Sequence, residues 1–358
     1  MAAAPVGEGP LGCAAVDPVD EGPLDHVAAT SVGEGPCPSP YTAHPSTAPN
    51  NRHSERSLQP AVLIPVGEGP CPSPYAVQPS TASNNRHSGR SAQRGAEESG
   101  RGKSMTRNTA ALLCELNTRF YADNAASFSA TRHSSWDGWD AALDVAGFAS
   151  APRRVVDVAC GNMRFADCLA KRFPAAAIDY IGVDNCVPLA SSVQRMQLAV
   201  SFAECDIVGC LIDDMPLELP VGDLVVCSGF MHHVPGQARR VRMLAELLRA
   251  VSPGGALVVS FWQFMGDERL ARKASALTPL ALEELGLSPG DLELGDYILG
   301  WQDSPTARRY CHSFTVEEVR SLADAALGET PCDCELSFLE ADGRSGRLNC
   351  YLVARRLS

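Results

Sequence analysis

No stretch of this 358-residue chain stays apolar long enough to cross a bilayer as a helix, so no membrane span is expected. The N-terminus lacks a basic region followed by an apolar core, so no secretory signal is expected either. There are fourteen cysteines but no Cys-x-x-Cys pair, and the only close pair is Cys332 and Cys334. Thiols scattered through apolar segments, with no secretion signal, read as reduced, buried small hydrophobes. A cytoplasmic location and no metal centre follow as expectations. Basic residues are outnumbered, 30 against 42, giving a net charge of −12. Residues 1–104 hold ten acids and seven bases, which leaves 32 and 23 for 105–358, a net −9. An acidic body is not the usual footprint of a nucleic-acid binder, although local arginine clusters can still contact phosphate.

Apolar periodicity is also missing from the first hundred residues, where a repeat takes its place. SVGEGPCPSPYTAHPSTAPNNRHSERS (31–57) recurs as PVGEGPCPSPYAVQPSTASNNRHSGRS (65–91), and PVGEGPLG from Pro5 is a partial third copy. Val32 and Val66 are equivalent, so the period is 34 residues. A helical repeat array would need apolar faces that these Pro-, Gly-, Ser- and Asn-rich copies do not have. Without them the ordering entropy is not offset, and 1–104 is expected to be a disordered tail. Met105 opens MTRNTAALLCELNTRFY, where composition changes abruptly, and is a second candidate start of translation. ESGRGKS (98–104) is not a phosphate-binding loop, because Glu97 stands where its first glycine must fall.

From 105 onward the pattern is ordered and forms one expected domain, 105–358. Helices are expected over 109–128 and 134–148, the second with Ser135 as N-cap. Strands and helices then alternate: strand 154–159, helix 164–173, strand 179–184, helix 187–197, strand 199–205, strand 223–228, helix 237–251. SPGG then turns into strand 256–264. The segment 277–308 is less regular. Helix 315–327 precedes two strands near 333–340 and 347–355. Continuous apolar strands alternating with helices predict an α/β fold. It is a doubly wound, mostly parallel sheet with helices on both faces and an antiparallel C-terminal hairpin at the edge.

In such folds the ligand sits at the carboxyl ends of the strands near the switch point. VVDVACGNM (155–163) has the outline of a strand entering a nucleotide-binding turn, yet it holds one glycine, Gly161, where a dinucleotide fingerprint has three. Gly161, with small Ala159, allows close backbone approach. Asp157, Asp184 and Asp206 fall at the ends of three successive strands. Asp184, with Asn185 beside it, can accept both ribose hydroxyls, and Asp206 can meet an adenine amino group. Asp157 and Asp206 can equally serve as helix or turn caps. A pyrophosphate needs a glycine where Met163 stands, preceded by Asn162. S-adenosylmethionine carries a cationic sulfonium and no phosphate, so this turn suits it better than NAD.

On these residues, 105–358 resembles the class I S-adenosylmethionine-dependent methyltransferases. VVDVACGNM resembles that family's first motif and GVD its ribose motif. DLVVCSGFMHHVP (223–235) and LRAVSPGGALVVSFW (248–262) resemble its fourth- and fifth-strand motifs, with Cys227 in the former. Ala159 and Met163 depart from the usual glycines. The resemblance implies a Rossmann-like fold, S-adenosylmethionine as cofactor and methyl transfer as the activity. MHHVPG, ARRYCHSFTVEEVRSL (307–322) and LNCYLVARR (348–356) are also similar to the wobble-uridine tRNA carboxymethyl methyltransferases. In that family an Arg-Tyr-x-His segment lies near the active site. The matching positions are Arg309, Tyr310 and His312, with Cys311 where Tyr is common.

A carboxylate acceptor would need no general base, whereas a hydroxyl or amine would, and His232, His233 or His312 can serve. A loop role for the His-His pair is the competing reading. Arg309, Tyr310 and His312 are expected to line the acceptor pocket. Arg309 would need a local bend to join them, because alternate side chains of an extended segment face opposite ways. Arg239, Arg240 and Arg242 read as a solvated helix face. Trp262 and Trp301 can stack on a base or pack in the core. The expected partner is a tRNA or a small-molecule methyl acceptor, with a small activator subunit left open. A non-catalytic binding subunit that keeps the fold is the alternative from a different class.

Overall fold

The computed structural model describes residues 104–131, 134–174, 176–190, 198–302, 304 and 306–358. The tail expected over 1–104 lies outside them, Ser104 apart, as does the helix expected over 187–197 beyond residue 190.

Five parallel strands form the spine: β1 (Arg154–Val158), β2 (Asp179–Asp184), β3 (Ala199–Glu204), β4 (Gly222–Cys227) and β5 (Val251–Trp262). Two more, β8 (Cys334–Ala341) and β9 (Asn349–Arg356), form an antiparallel hairpin at one edge. The seven-stranded order is β3-β2-β1-β4-β5-β9-β8. The chain winds outward from β1 to β3 and then returns beside β1 with β4, so a crevice opens at the carboxyl ends of β1 and β4. Val155, Val156 and Val158 of β1 and Leu224, Val225 and Val226 of β4 are fully buried. Strands covered on both faces read as continuous apolar runs for that reason.

One face carries α6 (Gln237–Arg249) and α8 (Val316–Gly328), which bury Leu244, Leu248, Val319 and Leu322 against the sheet. The other carries α2 (Asp137–Ala146) and α3 (Arg164–Arg172), through Trp139, Leu143, Phe165 and Leu169. Short helices α4 (Val187–Ala190) and α5 (Ile207–Ile212) follow β2 and β3. Over the carboxyl ends lies α1 (Arg107–Ala130), which packs on β7 (Arg308–His312). That strand pairs antiparallel with β6 (Asp296–Gly300) in a separate two-stranded sheet, backed by α7 (Glu268–Leu285).

Several local expectations change. Trp136, not Ser135, occupies the N-cap of α2, and no side chain caps it; Asp137 and Asp140 in the first turn complement the dipole instead. SPGG is not a turn before the strand but a bulge within β5. Val251 pairs with Gly222 and Ala256 with Leu224, so residues 252–255 of β5 lie opposite Asp223 alone on β4. The segment 277–308 is more regular than expected, because it holds the end of α7 and all of β6. Arg240 is not part of a solvated face: it is 1% exposed and ion-paired to Glu293 at 2.7 Å.

Candidate functional site

The carboxyl ends of the strands and the overlying α1 enclose one continuous cleft, with acids at one end and a cation among aromatic rings at the other. The acidic end is built by the β1–α3 turn. Ala159, Gly161 and Met163 all adopt left-handed backbone conformations, with φ of 57°, 52° and 53°. Such a turn favours glycine at each position, yet two are filled by side chains. Met163 compensates by burying its side chain, 2% exposed, over Gly182 of β2. A Cβ at 182 would lie 2.9 Å from both Met163 Cε and Cys160 Sγ, so the glycine missing from the turn reappears on the adjacent strand.

Asp157, Ala159, Gly161, Asp184, Asn185 and Asp206 all line this end. The Asp184 carboxylate accepts from the backbone N–H of Gly161 at 2.9 Å and of Cys186 at 2.8 Å. It therefore ties two loops together and keeps further lone pairs for a ligand. Burial pushes its pKa up, and these backbone donors hold it down. Asp206 caps α5 through Gly209 N–H at 3.0 Å and accepts from Asn185 at 3.4 Å. The cap role weighed for Asp206 is thus present in a residue that also lines the cleft. Asp157 is 3% exposed and accepts from the Tyr180 hydroxyl. Burial pushes it up to about 7; the phenol bond opposes that rise and the nearby Asp184 charge adds to it. Cys227 is a correction. Alternation along β4 turns it into the core beside Val156 and Val259, fully buried and away from the cleft. Burial raises its thiol pKa well above the ordinary value.

The other end of the cleft is lined by His232, His233, Trp262 and Arg309, with Tyr121 and Asn117 from α1. His232 and His233 sit on a single helical turn after β4, with ring centroids 4.0 Å apart. His233 Nδ1 lies 3.0 Å from the Tyr310 carbonyl oxygen, and Nε2 lies 2.7 Å from the Tyr121 hydroxyl. The guanidinium of Arg309, 1% exposed, faces the rings of Phe120 at 5.2 Å, Trp301 at 5.4 Å and Trp262 at 5.7 Å. Trp262 lines the cleft, whereas Trp301 packs behind against Phe120 and Phe128.

Here the strand period reverses an expectation. RRYCH is regular β7, so Arg309 and Cys311 share the face toward the cleft, while Tyr310 and His312 point behind it. Tyr310 hydroxyl donates to Asp296 at 2.7 Å, and His312 is held between Asp296 at 2.7 Å and Glu318 at 2.9 Å. Neither lines the cleft. Arg309, the residue thought to need a bend, enters it without one. Sequence reasoning missed Asn117 and Tyr121. Their signal is a four-residue spacing that puts both on one face of α1.

Residues 156–259 match the family described as methyltransferase domain. The matched stretch runs from β1 into β5 and carries the acidic end of the cleft. A trans-aconitate 2-methyltransferase from Acidovorax sp. (strain JS42) is 34% identical over 109 residues, which are 30% of this chain and 38% of the relative. A tRNA (carboxymethyluridine(34)-5-O)-methyltransferase from Arabidopsis thaliana is 25% identical over 187 residues, 52% of this chain and 42% of the relative. The chain spans less than half the length of either. Among solved structures, an amino pentose methyltransferase from Micromonospora echinaspora superposes with a TM-score of 0.40 at 17% identity, over 64% of this chain and 95% of that one. Within the matched stretch, acids at three strand ends and a turn with no phosphate cradle fit S-adenosylmethionine, a cationic nucleoside. The turn does not fit a pyrophosphate, because Met163 fills the position where helix and ligand must approach.

Proposed function

We propose that the chain transfers the methyl group of S-adenosylmethionine to an acceptor bearing a carboxylate, with the carboxymethyl group of a tRNA wobble uridine as the preferred acceptor. The observation that carries this reading is Arg309. It is a buried guanidinium facing the cleft on the side away from the three acids, and a fixed cation there suits an anionic acceptor. The names of both curated relatives specify carboxylate-bearing acceptors, one a small tricarboxylate and one a modified tRNA. The bound cofactor supplies a methyl group on a good leaving group. Asp184 and Asp206 would hold the nucleoside end, and Asp157 would complement the positive charge of the bound cofactor. Arg309 orients the acceptor, while Trp262 and His232 wall the site against water. A carboxylate is already nucleophilic, so alignment supplies most of the acceleration and no base is required.

A small acid as the true acceptor is favoured by the net −9 of residues 105–358. The test is transfer of labelled methyl to an anticodon stem-loop carrying carboxymethyluridine and, in parallel, to trans-aconitate. Base-labile label on the RNA alone supports the tRNA reading, and label on trans-aconitate alone supports the small-acid reading. Label on neither removes the carboxylate reading.

A further inference from the structure

Behind the cleft lies a layer of buried charge that the reading above does not use. Asp296, on β6, is fully buried. Its Oδ1 accepts from Tyr310 hydroxyl and contacts His312 Nδ1, both at 2.7 Å, and its Oδ2 accepts from Glu293 N–H at 2.9 Å. His312 reaches on to Glu318 of α8. Arg240 of α6 closes the cluster, 2.7 Å from Glu293 and 3.4 Å from the Tyr310 hydroxyl. Burial opposes charge on His312, yet the two carboxylates raise its pKa overall. The cluster thus joins α6, α8, β6 and β7 behind the acceptor end of the cleft.

The strand that this cluster holds is the one that builds the cleft's acceptor wall. The side chain of Arg309 projects from its opposite face. The backbone of residue 310 is itself a scaffold. Its N–H donates to Asn117 Oδ1 at 2.7 Å, and its carbonyl accepts from Asn117 Nδ2 at 3.2 Å. That same carbonyl lies 3.0 Å from His233 Nδ1. Asn117 Nδ2 lies 3.1 Å from the same ring nitrogen, so Asn117 and the residue 310 backbone together fix the orientation of the imidazole, whose Nε2 lies 2.7 Å from the Tyr121 hydroxyl. One strand therefore carries a cation on its front, fixes an imidazole through its backbone, and is clamped from the back.

We infer that Tyr310, His312 and Asp296 are positioning residues. They hold β7 in the register that places Arg309 and orients the His233 ring, without touching substrate themselves. The part concerning Arg309 rests on the carboxylate reading above; the part concerning His233 does not. Buried supporting shells of this kind hold a site to the tolerance that alignment demands.

The test uses Tyr310→Phe and Asp296→Asn, which keep side-chain volume while removing a hydroxyl or a charge. In each we would measure acceptor kinetics with the carboxymethyluridine stem-loop and with trans-aconitate, and adenosylmethionine Kd by calorimetry. The His233 ring would be followed by NMR in [15N]histidine-labelled protein, assigned with His233→Gln. We expect acceptor KM to rise about tenfold with kcat within about threefold, the scale of one or two lost buried hydrogen bonds. Cofactor Kd should stay within about twofold, and the His233 ring nitrogen resonances should shift from their wild-type positions as the ring loses its fixed contacts. A kcat loss of a hundredfold or more in Tyr310→Phe at unchanged KM would overturn the inference, because the phenol would then touch the reacting atoms. A lower melting temperature with unchanged KM and an unchanged His233 spectrum would overturn it too, leaving the cluster as packing. If the wild type methylates neither probe, the carboxylate reading falls, while the His233 spectrum still decides the positioning claim.

Discussion

Asp157 offers the most direct test of the cofactor end. Its carboxyl is buried on β1 and its pKa is pushed up to about 7 in the free protein. A cationic ligand favours the ionised form, so binding should expel the proton. Between pH 6 and pH 8 the ionised fraction rises from about one tenth to about nine tenths, so adenosylmethionine affinity should rise roughly tenfold. At pH 7 about half a proton should be released per ligand bound. Calorimetry in buffers of different ionisation enthalpy counts that proton directly. Asp157→Asn should flatten the pH dependence and abolish the release. The sign for stability is the opposite. A folded pKa raised above the unfolded value near 4 stabilises the free protein below pH 4, and that contribution is lost as pH rises through about 7. The unliganded protein should therefore melt at a lower temperature at pH 8 than at pH 6, with the difference reduced in Asp157→Asn. An affinity that stays flat from pH 6 to pH 8 with no proton release would refute this account of the acid.

Three further outcomes follow from the packing. Asp184→Ala should weaken adenosylmethionine binding by about 1.5–3 kcal/mol, and it should also lower stability by about 1–3 kcal/mol because it orphans the Gly161 and Cys186 N–H groups; calorimetry and urea denaturation separate the two effects. Arg240→Ala should cost about 3–5 kcal/mol by leaving buried carboxylates unpaired, whereas the neighbouring Arg239→Ala should stay within about 1 kcal/mol; equal costs in chemical denaturation would contradict the burial of Arg240. Ala159→Gly should stabilise by up to about 1 kcal/mol, since it relieves a left-handed residue at some cost in chain entropy; a clear loss of melting temperature would mean that the methyl group is packed more tightly than its surroundings indicate.

Local pattern determined the spine of this protein. The runs VVDV (155–158) and LVVC (224–227), apolar but for Asp157, read as strands covered on both faces once their alternation with helices is taken into account. Their alternation with helices fixed the parallel sheet and, through the switch point, the end where a ligand binds. Acids at three strand ends were visible for the same reason, because strand ends can be read from periodicity alone. What sequence could not show is which side of a strand faces a cleft. Tyr310, Cys311 and His312 look alike as a motif, but a period of two sends Cys311 forward with Arg309 and sends Tyr310 and His312 back to Asp296. Arg240 looks like a surface residue beside Arg239 until β6 brings carboxylates against it. Asn117 and Tyr121 enter the site from α1 across more than a hundred residues of chain. Only tertiary packing makes these assignments, because each depends on a partner that is distant in sequence and whose approach sets the burial and charge that the side chain meets.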